Sequence, residues 1–383
     1  MQLKSNLDAR KSKPIRNRKD ALLQLKTFLQ EGHDLIVADL TGTTADRSSL
    51  KSRRQPSRPR GAVQGFPVKL ILILVVLIFS LNDVPAVGAQ ALKEIRIGSS
   101  DVTSTNFSIY YAKDRRFFQK EGLDPKMIIV KAEAILAALS AGELGYTTFS
   151  TSAVEATLVG MPFRLVAVAN EQPVWGLVVP KSVNQVSELR GKKIGVSSFG
   201  GTIYSGAVYV LKHFGLTPKD VTFLAIGNTL TRVVALKNGT IDAAVIAAPG
   251  DIVAAKDGFK ILLDVGSIYR APMGGVSTTA SRIHEDPAEV RKVVRAVVGA
   301  SRAIKNPQNR EDVVAYIGTL FKLDRASAEE FYRRLLPSLS TSGVVDRDKI
   351  QLVVDSAVER GLTNKRLDPN RLVDFSFAKE LGS

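Results

Sequence analysis

The sequence predicts an α/β protein of two similar lobes joined by two crossing strands, with extra C-terminal helices on the first lobe. Three observations carry this expectation. Apolar runs of strand length alternate with helical periodicity from about residue 92 to residue 280. Within that stretch, Ile97, Gly98, Ser100, Thr105, Ser108 and Phe117 fall on Ile194, Gly195, Ser197, Thr202, Ser205 and Phe214 at one constant offset. The offset persists downstream, where Ala138, Leu139, Gly142 and Leu144 fall on Ala235, Leu236, Gly239 and Ile241. A repeat of this length is too long for a solenoid unit and fits two related lobes. Finally, two extended apolar segments, "WGLVVP" (175–180) and "GGVSTTA" (274–280), flank the second unit as a hinge would.

The first ninety residues are of another kind. Residues 1–67 contain "KSKPIRNRK" and "KSRRQPSRPR" and read as a basic disordered tail, or as a translation start set too far upstream. Residues 68–91 read as a signal peptide. Lys69 precedes an apolar run from Leu70 to Leu81, and small residues follow at Val87-Gly88-Ala89 and Ala89-Gln90-Ala91. The run is shorter than the ~20 residues of a spanning helix. An uncleaved anchor is the rival reading, and a periplasmic product is the expectation.

The net charge of +16 raises the question of nucleic acid, and its distribution answers it. Residues 1–90 hold 15 Lys/Arg against 7 Asp/Glu, and the much longer remainder holds 38 against 30. The globular part is therefore mildly basic with interspersed charges, which argues against a nucleic-acid groove. The cysteine count of zero excludes disulfides, thiol catalysis, Cys-based metal sites and a lipidated Cys anchor. His33, His213 and His284 are scattered, so neither a metal nor another cofactor is expected.

The expected layout places the first part of lobe one at 92–179, lobe two at 180–274, and the return to lobe one with its C-terminal helices at 275–383. Those helices include "DPAEVRKVVRAVVGASRAI", with Pro287 near a helix start.

At this point the residues resemble a known family. "SELRGKKIGVSSFGGT" is similar to the entry into the second lobe of periplasmic binding proteins. "FFQKEGLDPKMIIV", "AALSAGELGYTTFSTSAV" and "VVALKNGTIDAAVI" resemble the branch that binds nitrate, taurine, alkanesulfonates and thiamine pyrimidines. The resemblance runs over most of residues 93–383. It implies a type II periplasmic-binding-protein fold, a small-molecule ligand between the lobes, and an ABC permease in the inner membrane as partner. A monomer without nucleic acid is expected. The same superfamily includes a fungal pyrimidine synthase that depends on a cysteine-rich motif and a histidine; without Cys, that enzymatic reading loses its central chemistry. A non-enzyme is therefore expected, with a pyrimidine-precursor enzyme or a periplasmic sensory module as alternatives.

Candidate site residues follow from where helix starts meet strand ends. Free amides at helix N-termini attract anions and polar acceptors, and ligands of open α/β sheets sit at the carboxyl ends of strands. Lobe one offers Thr103, Ser104, Thr105 and Asn106, then Ser150, Thr151 and Ser152. Asn170 ends a strand. Lobe two offers Ser198, Gly200, Gly201 and Thr202, then Asn228 and Thr229, with Gly200 and Gly201 permitting close backbone approach. The Ser and Thr residues also suit helix caps. A P-loop Lys is missing, as are G-x-G-x-x-G and G-x-S-x-G. Trp175 reads as stacking on a ligand or packing the hinge, Arg232 as pairing an anion or as exposed, and Tyr110, Tyr111 and Tyr204 as core or rim.

Overall fold

In the computed structural model, residues 91–199 and 201–382 are described. The basic tail lies outside the described residues, and so do all but the last residue of the signal segment, together with Gly200.

The chain lays down β1 (Lys93–Ser99), α1 (Phe107–Asp114), α2 (Phe117–Lys120), β2 (Leu123–Ile129), α3 (Ala132–Ser140), β3 (Tyr146–Thr147), α4 (Thr151–Leu158) and β4 (Phe163–Asn170). It then crosses into β5 (Trp175–Pro180), β6 (Lys193–Val196), α5 (Thr202–His213), β7 (Thr222–Ala225), α6 (Thr229–Lys237), β8 (Ala243–Ala247), α7 (Gly250–Lys256) and β9 (Phe259–Asp264). It returns through β10 (Met273–Thr279) to α8 (Ala280–Glu285), α9 (Pro287–Lys305), α10 (Arg310–Phe321), α11 (Arg325–Leu335), α12 (Arg347–Glu359) and α13 (Ser376–Lys379).

The two sheets are built alike. Their strand orders are β2-β1-β3-β10-β4 and β7-β6-β8-β5-β9. The three strands named first in each are parallel, and the fourth is antiparallel to both its neighbours. That fourth strand is the one that crosses: β10 comes back from the second lobe, and β5 enters it.

The sequence repeat is a packing repeat. A Cβ on Gly98 would lie 2.4 Å from Leu144 Cδ1, and one on Gly195 would lie 2.5 Å from Ile241 Cδ1. Leu144 and Ile241 are themselves partners in the repeat. Each lobe thus seats a branched side chain directly against a strand glycine.

Two boundaries differ from the sequence expectation. The sequence expectation places Trp175–Val179 in lobe one, yet this run lies between β8 and β9 in the second sheet. Its residues are buried as far as Val179, so the run offers no alternation to tell a connector from an inner strand. Met273 and Gly274, assigned to lobe two, begin β10 in the first sheet.

The C-terminal helices divide their work. Val290, Val294 and Val297 of α9, Val313 and Ile317 of α10 and Phe331 of α11 join the core of the first sheet with Ile97 and Phe107. α12 packs against α4. Buried ion pairs tie these helices down. Arg334 of α11 approaches Asp251 of α7 to 2.8 Å without hydrogen-bond geometry, and Arg360 pairs with Glu155 of α4.

Two expectations follow. Gly195→Ala should cost roughly 1–3 kcal/mol by overpacking, and adding Ile241→Val should recover part of it. Denaturant melts of the two single variants and the double variant measure that coupling. The second concerns pH. Burial pushes the Asp251 carboxyl up to about 6 from 3.8, opposed by Arg334, and the Glu155 carboxyl up to about 7 from 4.5, opposed by Arg360. Across pH 4–7 the native state then binds more protons at these groups than the unfolded chain does. Their contribution to stability is greatest below that window and falls as pH rises through it. In Asp251→Asn and Glu155→Gln the corresponding part of the slope should vanish in melts run from pH 4 to pH 7.

Candidate functional site

The carboxyl ends of the parallel strands in both sheets open onto one cleft of about 770 Å³. Its size suits a small ligand, since such sites run to roughly 300–1,000 Å³. A larger hollow of about 1580 Å³ follows the outer edge of the first sheet between β2 and α3. Ala134, Ala137, Ala138 and exposed charges line it, and it carries none of the hydroxyl-rich loops.

Eleven of the fourteen residues expected from sequence line the cleft: Thr103, Thr105, Asn106, Ser150, Thr151, Ser152, Ser198, Gly201, Thr202, Asn228 and Thr229. Gly200 lies outside the described residues. Asn170 is the correction. It ends β4 as expected, but its Nδ2 donates to Ser338 Oγ at 2.9 Å, and its backbone bridges Leu339. The C-terminal segment covers that strand end and takes the side-chain Nδ2, the Oδ1 stays buried without a partner, and the residue is not part of the cleft lining.

The lining residues have different duties. Asn106 staples its own loop: Oδ1 accepts from the Thr103 amide at 3.0 Å, and Nδ2 donates to Ser99 Oγ and the Asp101 carbonyl, both at 2.6 Å. Asn228 caps α6 by accepting from the Thr231 amide. Thr151 donates to the Pro272 carbonyl at 2.8 Å, and Ser104, expected to face a ligand, donates to the Val174 carbonyl. These four are occupied by the fold. Ser150 Oγ is buried without a partner at the start of α4. Ser152 Oγ and Thr202 Oγ1 stand 3.4 Å apart across the cleft. Trp175 is 2% exposed and packs over Gly206 of α5, with its Nε1 directed at Thr105 Oγ1 at 3.5 Å. It is a packing residue that lends one edge to the site.

Two strong charges stand in the cleft: Arg232, for which the sequence offered anion pairing beside an exposed position, and Asp101, which the sequence did not single out. Arg232 is 2% exposed and lines the cleft wall. Its Nε donates to the Val245 carbonyl at 3.1 Å, Nη1 to the Gly227 carbonyl, and Nη2 to Thr229 Oγ1 at 3.4 Å. Burial lowers its pKa to about 10, opposed by Asp101. Asp101, in the loop after β1, lines the facing wall, and burial raises its pKa, opposed by Arg232. Thr229 Oγ1 donates to Asp101 Oδ2 at 3.3 Å, so a chain of groups runs from Arg232 through Thr229 to Asp101 and spans the lobes. Two sequence signals pointed here. Asp101 is the repeat partner of Ser198, and Arg232 falls on the same helical stripe as Val233 and Leu236. Lys131, Thr148, Phe149 and Phe199 are among the other lining residues that the sequence did not single out, and Lys131 adds a second cation to the cleft.

Among the described residues, no group of three or more His, Asp or Glu is placed to hold a metal ion. His213 and His284 lie outside the cleft lining.

Two α/β lobes with exchanged strands and a polar cleft at their strand ends define a two-lobed ligand-binding architecture. Residues 104–310 match the family described as NMT1/THI5 like, and the chain belongs to that family. None of the curated proteins matches it. Among solved structures, the alkanesulfonate-binding protein SsuA of Xanthomonas axonopodis pv. citri, bound to MOPS, is similar at 20% identity and a TM-score of 0.63, over 74% of this chain and 98% of that one. The periplasmic nitrate-binding protein NrtA of Synechocystis PCC 6803 is similar at 15% identity and a TM-score of 0.52, over 62% of this chain and 68% of that one. The desulfurization enzyme DSZB is similar at 13% identity and a TM-score of 0.55, over 75% of this chain and 98% of that one. These likenesses show the periplasmic-binding-protein fold.

One expectation separates loop staple from ligand contact. Asn106→Ala removes three hydrogen bonds, two of them buried, and should cost roughly 2–4 kcal/mol of stability at about 1 kcal/mol each. A melt of the variant without any added ligand reads this directly, and an unchanged midpoint would make Asn106 a free donor to the cleft.

Proposed function

We infer that the chain is the substrate-binding component of an ABC importer, exported to the periplasm through the segment at 68–91. It captures a small anionic or polar solute (a sulfonate, nitrate, a carboxylate or a pyrimidine-like heterocycle) between its lobes and delivers it to an inner-membrane permease. The observation that carries this reading is the cleft itself: hydroxyl-bearing strand-end loops from both lobes meet in a cavity of ligand size, with two contacts already spanning it. Membership of the NMT1/THI5-like family and the folds of the sulfonate- and nitrate-binding proteins support it. Binding without chemistry is the reading for this chain, although DSZB places an enzyme on a similar fold. Closure of the lobes on the solute would be the loading signal.

A thermal-shift screen of the mature chain against sulfonates, nitrate, carboxylates and pyrimidines tests this. A solute at 100 times its Kd should add about 2.7 kcal/mol of stability. Ser152→Arg should fold, because Ser152 sits half-buried on the cleft wall, yet its bulk would prop the Ser152–Thr202 seam open. Affinity for any solute found should fall at least ~10-fold, which corresponds to about 1.4 kcal/mol. Mass spectrometry of the recovered solute completes the test, since conversion to a product would replace this reading with an enzymatic one.

A further inference from the structure

The cleft wall that carries Trp175 is backed by a buried ion pair reaching in from the C-terminal helices. Trp175 and Ala247 both line the cleft and are register partners in β5 and β8. Asp251 lies behind this wall, in the first turn of α7. Its side chain fills the space over Gly176: a Cβ on that glycine would lie 2.9 Å from Asp251 Oδ2 and 3.0 Å from Asp251 Cβ. The partner charge comes from the other lobe. Arg334 projects from α11, whose Phe331 and Leu335 sit in the core of the first sheet.

Arg334 Nη1 stands 2.8 Å from Asp251 Oδ2, and the two side chains are 7% and 0% exposed. Neither terminal nitrogen of Arg334 makes a hydrogen bond, and neither does that oxygen. Asp251 Oδ1 accepts from the Ile252 amide at 2.8 Å. The contact between the helices is therefore one of charge. Few other charges face it. β5 and β8 bring no ionisable side chain. Asp264, at the end of β9, lies 4.0 Å from Arg334 Nε and disfavours ionisation of Asp251, and the Arg333 charge acts on Asp264 as well. Lys256 pairs with Asp324 between α7 and α11, and holds that carboxyl down at about 2. Lys237 of α6 pairs with Asp257 at the far end of α7.

We propose that Asp251 and Arg334 are positioning residues for the cleft: their paired charges hold α7 and β5 against α11, and loss of the Asp251 charge loosens the wall that carries Trp175. A neutral carboxyl finds no acceptor in Arg334, which offers only donors. Arg334 then keeps Asp264 as its charge partner, and that side chain is 45% exposed. Burial pushes the Asp251 carboxyl up to about 6, opposed by Arg334, so the wall is tight above that pH and slack below it. Global stability runs the other way, because desolvating the ionised carboxyl costs more than Arg334 offsets. A local loosening at low pH is thus separable from a loss of the fold. The wall belongs to the cleft whether the cleft binds or converts its occupant, so the inference goes beyond the solute-binding reading and does not depend on it.

Trp175 is the chain's single tryptophan, so tryptophan fluorescence reads this wall alone. Acrylamide quenching of the full chain, with no solute added, is followed from about pH 5 to pH 8, the range that brackets the Asp251 titration. In the parent, quenching should rise as pH falls, with a midpoint near 6. Asp251→Asn should be quenched at every pH as strongly as the parent is at the acid end, without a step. Arg334→Gln should move the midpoint upward by about 1 pH unit or more, because no opposite charge then favours the carboxylate. Arg334→Lys keeps the charge and should keep the step close to its parent position. Circular dichroism establishes that each variant folds, and either arginine variant decides the matter if Asp251→Asn does not. Glu155→Gln is the control, since that carboxyl, at about 7, also titrates in the range. A flat profile in the parent, a step that survives Asp251→Asn or vanishes in Glu155→Gln instead, or a midpoint that Arg334→Gln leaves in place would overturn the proposal. Each of those results leaves the solute-binding reading standing.

Discussion

Each sheet of this protein is completed by a strand that arrives from the other lobe, and the rest of the architecture depends on that exchange. β5 fills the position between β8 and β9, and β10 fills the equivalent position between β3 and β4. Neither sheet is continuous without its donated strand, so the lobes cannot separate as independent domains. The crossings are short, at 171–174 and 265–272, and one of them is pinned: Ser104 of the first lobe bonds the Ala248 carbonyl through its amide and the Val174 carbonyl through its hydroxyl. The parallel strands of both lobes therefore end at one seam, and the loops after β1, β3, β6 and β7 meet there. The cleft is a consequence of the exchange.

Much of this was legible because the repeat reflects a packing requirement. The Gly98–Leu144 contact recurs as Gly195–Ile241, and a glycine facing a branched residue at fixed separation leaves a trace in sequence. The cleft loops were legible for a similar reason, since strand ends followed by Ser, Thr, Asn and Gly mark helix starts whether they hold a ligand or a cap. That shared chemistry is also where the reading lost resolution. Asn106 and Thr151 line the cleft as expected, yet their side chains are consumed by the fold, and Asn228 gives its Oδ1 to the α6 cap. Asn170 was misplaced because the segment that covers it, around Ser338 and Leu339, lies 168 positions away in sequence. The boundary at β5 failed because a strand buried on both faces shows no period.

The buried charges were the least legible part. A single Arg on a surface-length helix reads as solvated, and only its place on the Val233–Leu236 stripe contradicts that. Desolvation of Arg232 is tolerable because two carbonyls and the Thr229 hydroxyl absorb its donors and Asp101 lies across the cleft. The same logic holds at Asp251–Arg334 and Glu155–Arg360, but those pairs lie away from the cleft lining and tie α7 to α11 and α4 to the end of α12. Charges that serve the fold are paired directly. The pair in the cleft is separated by a hydroxyl that belongs to one lobe and donates to the other.

That separation links electrostatics to motion. Were the lobes to part, Thr229 would leave Asp101, and both charges would gain water to replace what they lose; were they to close on a solute, each charge would need its partners inside the protein or on that solute. The Asp101 carboxylate accepts from the Ser100 and Thr229 hydroxyls at 3.4 and 3.3 Å and faces the Thr229 backbone amide, while the Ser150 hydroxyl is buried without a partner. Ser150 is a polar group left incomplete inside the cleft, while Asn106, bonded through both its Oδ1 and its Nδ2, and Asn228, which caps α6, hold the walls in place.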